Sequence, residues 1–321
     1  MNWTEGVQHF SIASPAVDLS NKETFAVSLP LKKLAVVGTT HETVEIFALP
    51  TLSTRTTLVH LSSIPVTTGN AYYALVFADS PQNYLFVIQY EQRTVAVFDV
   101  ETRTQVGCIA KVYRRSPPTD VAAKGDLVAV LCMNHIVYLY RGPVDGKWEQ
   151  LSTIDVATHV RVFPRIRLTQ DGEYLLATSR GGGRVVRARV SDGTWMPDIA
   201  SDIDSPSDLV ETGDGWLISS SEHNPVYLYR NGERICSIPG TEPVGLLEDA
   251  PLTNPESLAL LPGVGLLGKV YTTNGFELYV PDDTLAMFNM SPNRVGWMQA
   301  VVKGTQRRFL GAGAPTNTKF Q

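Results

Sequence analysis

The side chains able to do chemistry are scattered histidines and carboxylates. His41, His135 and His223 each fall between two apolar runs, Glu91 and Glu222 occupy matching places, and His159 follows another run in a polar stretch. An imidazole in such a place could accept a proton or hold a metal that activates water. The spacing argues against a ready-made centre. No two histidines stand at His-x-x-x-His, and no two carboxylates are spaced to share acid–base work. No metal and no cofactor are therefore expected. If the chain is an enzyme, its catalytic groups are to be sought among His41, Glu91, His135, His159, Glu222 and His223.

Charge is the second chemical feature. Arg161, Arg165, Arg167, Arg180, Arg184, Arg187 and Arg189 follow one another with only Asp171 and Glu173 between them. From Asp192 to Asp214 the chain is acidic without a single base, through Asp198, Asp202, Asp204, Asp208 and Glu211. One consequence would be an electrostatically steered protein surface built from Arg161, Arg180, Arg184, Arg187 and Arg189, with Trp148 and Trp195 as aromatic anchors. The other is that neighbouring units pair these charges with each other. Nucleic acid is not the expected partner, because no aromatics interleave the basic stretch and its acidic neighbour would repel phosphates.

The bulk composition is that of a globular protein: 321 residues, 43% hydrophobic, 18% charged and a net charge of −5. The most apolar stretch, Leu258 to Val270, is broken by Pro262 and by glycines, and falls short of the roughly 18 residues a membrane span requires. The first residues lack the basic start and apolar core of a secretory signal. The three cysteines, Cys108, Cys132 and Cys236, are far apart, which suits reduced thiols. An intracellular, cytoplasmic location is expected.

The elements that must position these groups repeat. Pro118-Thr-Asp-Val, Pro164-Arg-Ile, Pro206-Ser-Asp-Leu and Pro255-Glu-Ser-Leu each open a short apolar run. Second runs follow at Tyr84-Leu-Phe-Val-Ile, Leu127-Val-Ala-Val-Leu, Tyr174-Leu-Leu-Ala and Trp216-Leu-Ile-Ser. Third runs alternate and end in an aromatic, as in Val44-Glu-Ile-Phe, Val95-Ala-Val-Phe, Val137-Tyr-Leu-Tyr and Val226-Tyr-Leu-Tyr. Asp145-Gly146, Asp192-Gly193 and Asn231-Gly232 then supply hairpin turns into a fourth run. The unit is four antiparallel strands at a pitch of roughly 40–50 residues, the period of a β-propeller blade.

This predicts one all-β propeller domain over 1–321, with blades at 24–62, 71–110, 118–156, 163–201, 206–239, 255–290 and 295–321 plus 7–12. Seven blades are expected, with the N-terminal strand Val7–Ile12 pairing the C-terminal strands to close the ring. Six blades with both ends draped outside is the alternative. In such a disc the second-to-third turns and the between-blade loops share a face. That puts His41, His60, His135, His159 and His223 together with Glu91, Arg93, Arg114, Arg115, Arg161, Arg180 and Glu222.

Particular segments resemble known propellers. Thr94-Val-Ala-Val-Phe-Asp-Val resembles the third-to-fourth-strand segment of WD40 and YVTN-type blades. Gln170-Asp-Gly-Glu-Tyr-Leu-Leu-Ala resembles the second-strand entry of YVTN and lactonase-like blades, and Pro206 through Tyr229 an NHL or gluconolactonase-type blade. The glycine-histidine and tryptophan-aspartate pairs of WD40 repeats are absent. The resemblance implies the fold, which hosts enzymes and inert scaffolds alike. The expected function is a non-enzymatic scaffold whose loop face or outer strands engage another protein or a copy of itself. A lactonase-like hydrolase at the channel mouth and a glycan-binding propeller are the alternatives.

Overall fold

A computed structural model describes residues 3–11, 25–37, 43–49, 58–66, 74–78, 83–109, 116–144, 147–161, 164–213, 215–220, 226–237, 255–261, 265–270 and 275–281. It is a β-propeller: small antiparallel four-stranded sheets arranged in a ring. Among the described residues no helix is long and apolar enough to cross a membrane.

Five blades consist of four consecutive strands each. Blade 1 is β2 (Phe25–Ser28), β3 (Lys33–Val37), β4 (Thr43–Ala48) and β5 (His60–Pro65). Blade 2 is β6 (Leu75–Phe77), β7 (Tyr84–Gln89), β8 (Thr94–Asp99) and β9 (Thr104–Ile109). Blade 3 is β10 (Pro118–Lys124), β11 (Leu127–Cys132), β12 (Ile136–Val144) and β13 (Lys147–Asp155). Blade 4 is β14 (Ile166–Leu168), β15 (Tyr174–Ser179), β16 (Arg184–Arg189) and β17 (Trp195–Ala200). Blade 5 is β18 (Pro206–Glu211), β19 (Trp216–Ser220), β20 (Tyr227–Arg230) and β21 (Glu233–Ser237).

The expected count of seven blades is corrected, and so is the alternative of six with free ends. After the five blades, β22 (Pro255–Leu261), β23 (Gly265–Val270) and β24 (Gly275–Pro281) form a sheet whose fourth strand is β1 (Trp3–Ser11). β1 runs antiparallel to β24, with Val7 opposite Tyr279 and Phe10 opposite Phe276. The N-terminal strand therefore takes the edge left by β24 and is not draped outside. The segments expected to form a seventh blade, 296–301, 308–312 and 316–320, lie outside the described residues. The physical reason for the miscount is that an alternating pattern identifies a strand without naming the edge it joins.

Packing explains the strand types. The second strand of each blade is covered on both faces, and all six residues of β11 are buried. Ala35, Val44 and Ile46 of blade 1 pack on Leu85, Val87 and Phe98 of blade 2, and the same interleaving joins blades 2 and 3 and blades 3 and 4. Each such aliphatic or aromatic side chain contributes about 1.5–3 kcal/mol when fully buried. The Asn231-Gly232 turn has both residues at positive φ, 50° and 83°, as a two-residue hairpin of this hand requires. The three-glycine run after Arg180 is a single 3-10 turn that ends in left-handed Gly183 at φ 63°.

Two irregularities recur. The opening proline of β10, β18 and β22 is followed by a register shift, so that Asp120, Asp208 and Ser257 become the first regularly paired residues. A second shift lies in the outer strands. Ser62 and His60 pair with consecutive residues of β4, which leaves Leu61 without an opposite number. Val106, Leu151 and Ile235 are extra residues in β9, β13 and β21 in the same way. Each of these bulges sits beside the buried aromatic of the third strand: Phe47, Phe98, Tyr140 or Tyr229. A bulge adds local right-handed twist, which suits the outermost strand of a twisted blade.

Candidate functional site

The expected histidine-bearing face is only partly drawn together. His41, Glu222 and His223 lie outside the described residues, as do Arg114 and Arg115. Glu91 and His135 do occupy the second-to-third turns of blades 2 and 3. His135 sits at φ 61°, and its amide donates to the Cys132 carbonyl at 2.9 Å. The two turns touch where the Tyr90 hydroxyl meets Met133 Sδ at 3.0 Å. No hydrogen bond, ion pair or ring contact joins Glu91, His135 and His159 to one another. Among the described residues no group of three His, Cys, Asp or Glu side chains is arranged to hold a metal ion.

His60 stands elsewhere. The fourth strand of blade 1 runs to Pro65, past the expected end at 62, so His60 opens β5 at the opposite end of the blade. Its Nε2 lies 2.6 Å from Glu45 Oε2, and the Ser63 hydroxyl donates to the same oxygen at 2.6 Å. Thr43 donates to Glu45 Oε1, also at 2.6 Å. This resembles a serine–histidine–carboxylate relay in composition only. A relay needs the imidazole between the other two, with one nitrogen toward each, whereas here Nε2 faces both the serine and the carboxylate. Glu45 is a buried carboxylate whose partners among the described residues, Thr43, His60 and Ser63, all belong to its own blade.

His159 is tied to two of the expected partner-binding residues. Its ring stacks on Trp195 with centroids 3.8 Å apart. Its carbonyl accepts from Arg184 Nε at 3.2 Å and Nη2 at 3.0 Å, while Arg184 Nη1 lies 3.6 Å from Asp198. The loop between blades 3 and 4 is thereby fastened to the outer half of blade 4. Trp148 packs edge-to-face on Phe86 of blade 2 at 5.2 Å, as a blade-to-blade contact. Arg187 lies over the Tyr174 ring at 5.1 Å, and Arg189 pairs with Asp192 across its own hairpin at 3.1 Å. Arg161 is exposed, and Arg180 is half-buried in the 3-10 turn.

The strongest charge assembly joins the innermost strands of three blades. Arg167 of β14 reaches Asp208 of β18 with Nη2 2.7 Å from the carboxylate, and its Nη1 lies 4.0 Å from Asp120 of β10. Asp120 accepts the Ile166 amide at 2.7 Å, and Arg165 stands 3.9 Å from its other oxygen. Both carboxylates are 1% exposed. Burial pushes the Asp120 carboxyl above its ordinary range, with Arg165 and Arg167 opposing. Burial alone would lower the Arg167 guanidinium, but Asp208 and Asp120 hold it above its usual value. The cluster clamps blade 3 to blade 4 and blade 4 to blade 5. The sequence held a signal for it, since Asp120 and Asp208 occupy the same place in the Pro-x-Asp opening.

The rim, formed by outer strands expected to meet a partner, carries a feature that the sequence did not single out. The bulge residues Leu61, Val106, Leu151 and Ile235 are 48%, 50%, 42% and 46% exposed, among the most exposed large apolar side chains described. They hold the same position in four blades. In blade 4 the shift is wider and loops out 197–199 opposite Val186, with Pro197 exposed.

No protein-family model matches the chain, and no curated protein matches it.

Proposed function

We propose that this propeller is a non-enzymatic interaction module whose rim is gripped by other protein surfaces. The observation that supports the reading is the recurrence of one solvent-exposed aliphatic residue at the bulge of each of four outer strands. A single exposed apolar side chain is ordinary, but the same exposure in register from blade to blade is what a surface built for contact requires. The arginines suited to steering a charged partner are largely occupied by their own or neighbouring blades. That leaves the exposed side chains of the outer strands, apolar at each bulge, as the contact chemistry of the rim.

The test is native mass spectrometry of the full chain purified from its source, compared with a Leu61→Lys, Val106→Lys, Leu151→Lys, Ile235→Lys variant. Stoichiometric protein partners or a defined oligomer, reduced in the variant, would support the module. A monomer carrying a small molecule or a divalent ion, unchanged by the four substitutions, would overturn it.

A further inference from the structure

Among the four bulged outer strands, β13 differs in length and in charge. It has nine residues, Lys147-Trp-Glu-Gln-Leu-Ser-Thr-Ile-Asp155, of which only Trp148 and Ile154 are not exposed. It hydrogen-bonds β12 on one side, and no described strand lies on its other edge. Reading β13 antiparallel to itself about Leu151 pairs Lys147 with Asp155, Trp148 with Ile154, Glu149 with Thr153 and Gln150 with Ser152. Opposite charges thus meet at both ends. No other bulged outer strand does this. About its own bulge, β9 sets Gln105 against Gly107 and Thr104 against Cys108, β21 sets Glu233 against Ser237, and β5 sets His60 against Ser62.

The bulge would ordinarily deter strand addition, because an added regular strand meets one residue too many. About this axis the two Leu151 bulges coincide, and the arm 147–150, whose own neighbour β12 carries an extra residue between Arg141 and Val144, meets the arm 152–155 of the other copy. We infer that the chain forms a two-fold dimer through antiparallel pairing of β13 with β13 of a second copy, Leu151 lying on the axis. The inference rests on the reading of the rim as the contact surface and names its partner. An isologous contact of this kind closes on itself and does not propagate into a filament.

The experiment uses the full chain in analytical ultracentrifugation. Lys147→Glu sets a second carboxylate against Asp155 at both ends, and self-association should weaken roughly tenfold or more. Lys147→Glu with Asp155→Lys restores opposite charges and should recover most of it. Independently, Leu151→Cys in a Cys108→Ser background brings two sulfurs together across the axis. Facing Cα atoms in such a pair are about 4.5–5.5 Å apart, within disulfide range, so mild oxidation should give a covalent dimer. Asp155 also accepts the Ala157 amide at 2.9 Å, and if Asp155→Lys disturbs that turn the cysteine cross-link carries the test alone.

A dimer indifferent to Lys147→Glu, or one that cross-links through Val106→Cys and not Leu151→Cys, overturns this pairing while the rim reading stands. A monomer with no partner on any rim position overturns both.

Discussion

Replacing Arg167 by methionine tests whether the inner-strand cluster fastens the blades. The substitution keeps most of the aliphatic stem and removes the guanidinium. Asp208 then loses its 2.7 Å partner and keeps the Leu209 amide at 2.9 Å, while Asp120 loses one of its two cations. Breaking a buried ion pair from one side costs about 3–5 kcal/mol. Arg167 is 29% exposed, so water can reach part of the vacated space, and we expect the lower figure of about 2–3 kcal/mol.

The loss should depend on pH with a definite sign. Burial already holds the folded-state pKa of Asp120 above its unfolded value. The native protein therefore binds more protons than the unfolded chain between those two values, and stability falls as pH rises through that window. Removing Arg167 raises the folded value further, so the window widens upward. Urea unfolding followed by tryptophan fluorescence should show a larger loss at pH 7 than at pH 4.5. Arg189→Met, at the exposed Asp192 pair, serves as the control and should change little. A pH-independent loss in Arg167→Met below about 0.5 kcal/mol, the usual scatter of surface substitutions, would refute the clamp.

Two further outcomes follow from the same geometry. Burial pushes the Cys132 thiol up to about 12, while Cys108 is exposed. In the native protein at pH 8 a maleimide should label Cys108 and leave Cys132 untouched, and equal labelling rates would contradict the packing of β11. Deleting residues 1–11 strips β1 from β24 and leaves a sheet edge open. The truncated chain should melt at lower temperature and aggregate more readily, and an unchanged melting curve would show that β1 is dispensable.

The blade itself was legible because its signals are local. The aromatics ending the third runs, the Asn-Gly turn and the Pro-x-Asp openings all depend on neighbours a few residues away, and they recur. What Asp120 does was not legible, since its acceptor role is defined by the amide of Ile166 in the next blade. The count of blades failed for the same reason: β1 has no local feature that assigns it to β24. His60 was misplaced because the blade was expected to end at 62, whereas its fourth strand begins at His60 and runs on to Pro65. The arginine cluster divided along the line between local and distant partners. Arg189 and Asp192 belong to one hairpin, whereas Arg167 and Asp208 meet only when two blades are side by side.

The rim bulges show how a feature can repeat in space without repeating in the sequence. Val106 lies eight residues after Phe98, Leu151 eleven after Tyr140 and Ile235 six after Tyr229, because each hairpin between them has its own length. The recurrence emerges only after the strands are paired. Its consequence is selective. A bulged edge rejects most strands, so the rim of this disc is protected against indiscriminate addition even though it exposes aliphatic side chains. The strand that a bulged edge can accept is one carrying its own extra residue at the matching point. Each outer strand of a second copy meets that condition about a two-fold axis. Charge then separates them, for β13 places a lysine against an aspartate at each end while β5, β9 and β21 place no opposite charges together. Shape thus narrows the partner to another copy of the same edge, and charge narrows the edge to β13.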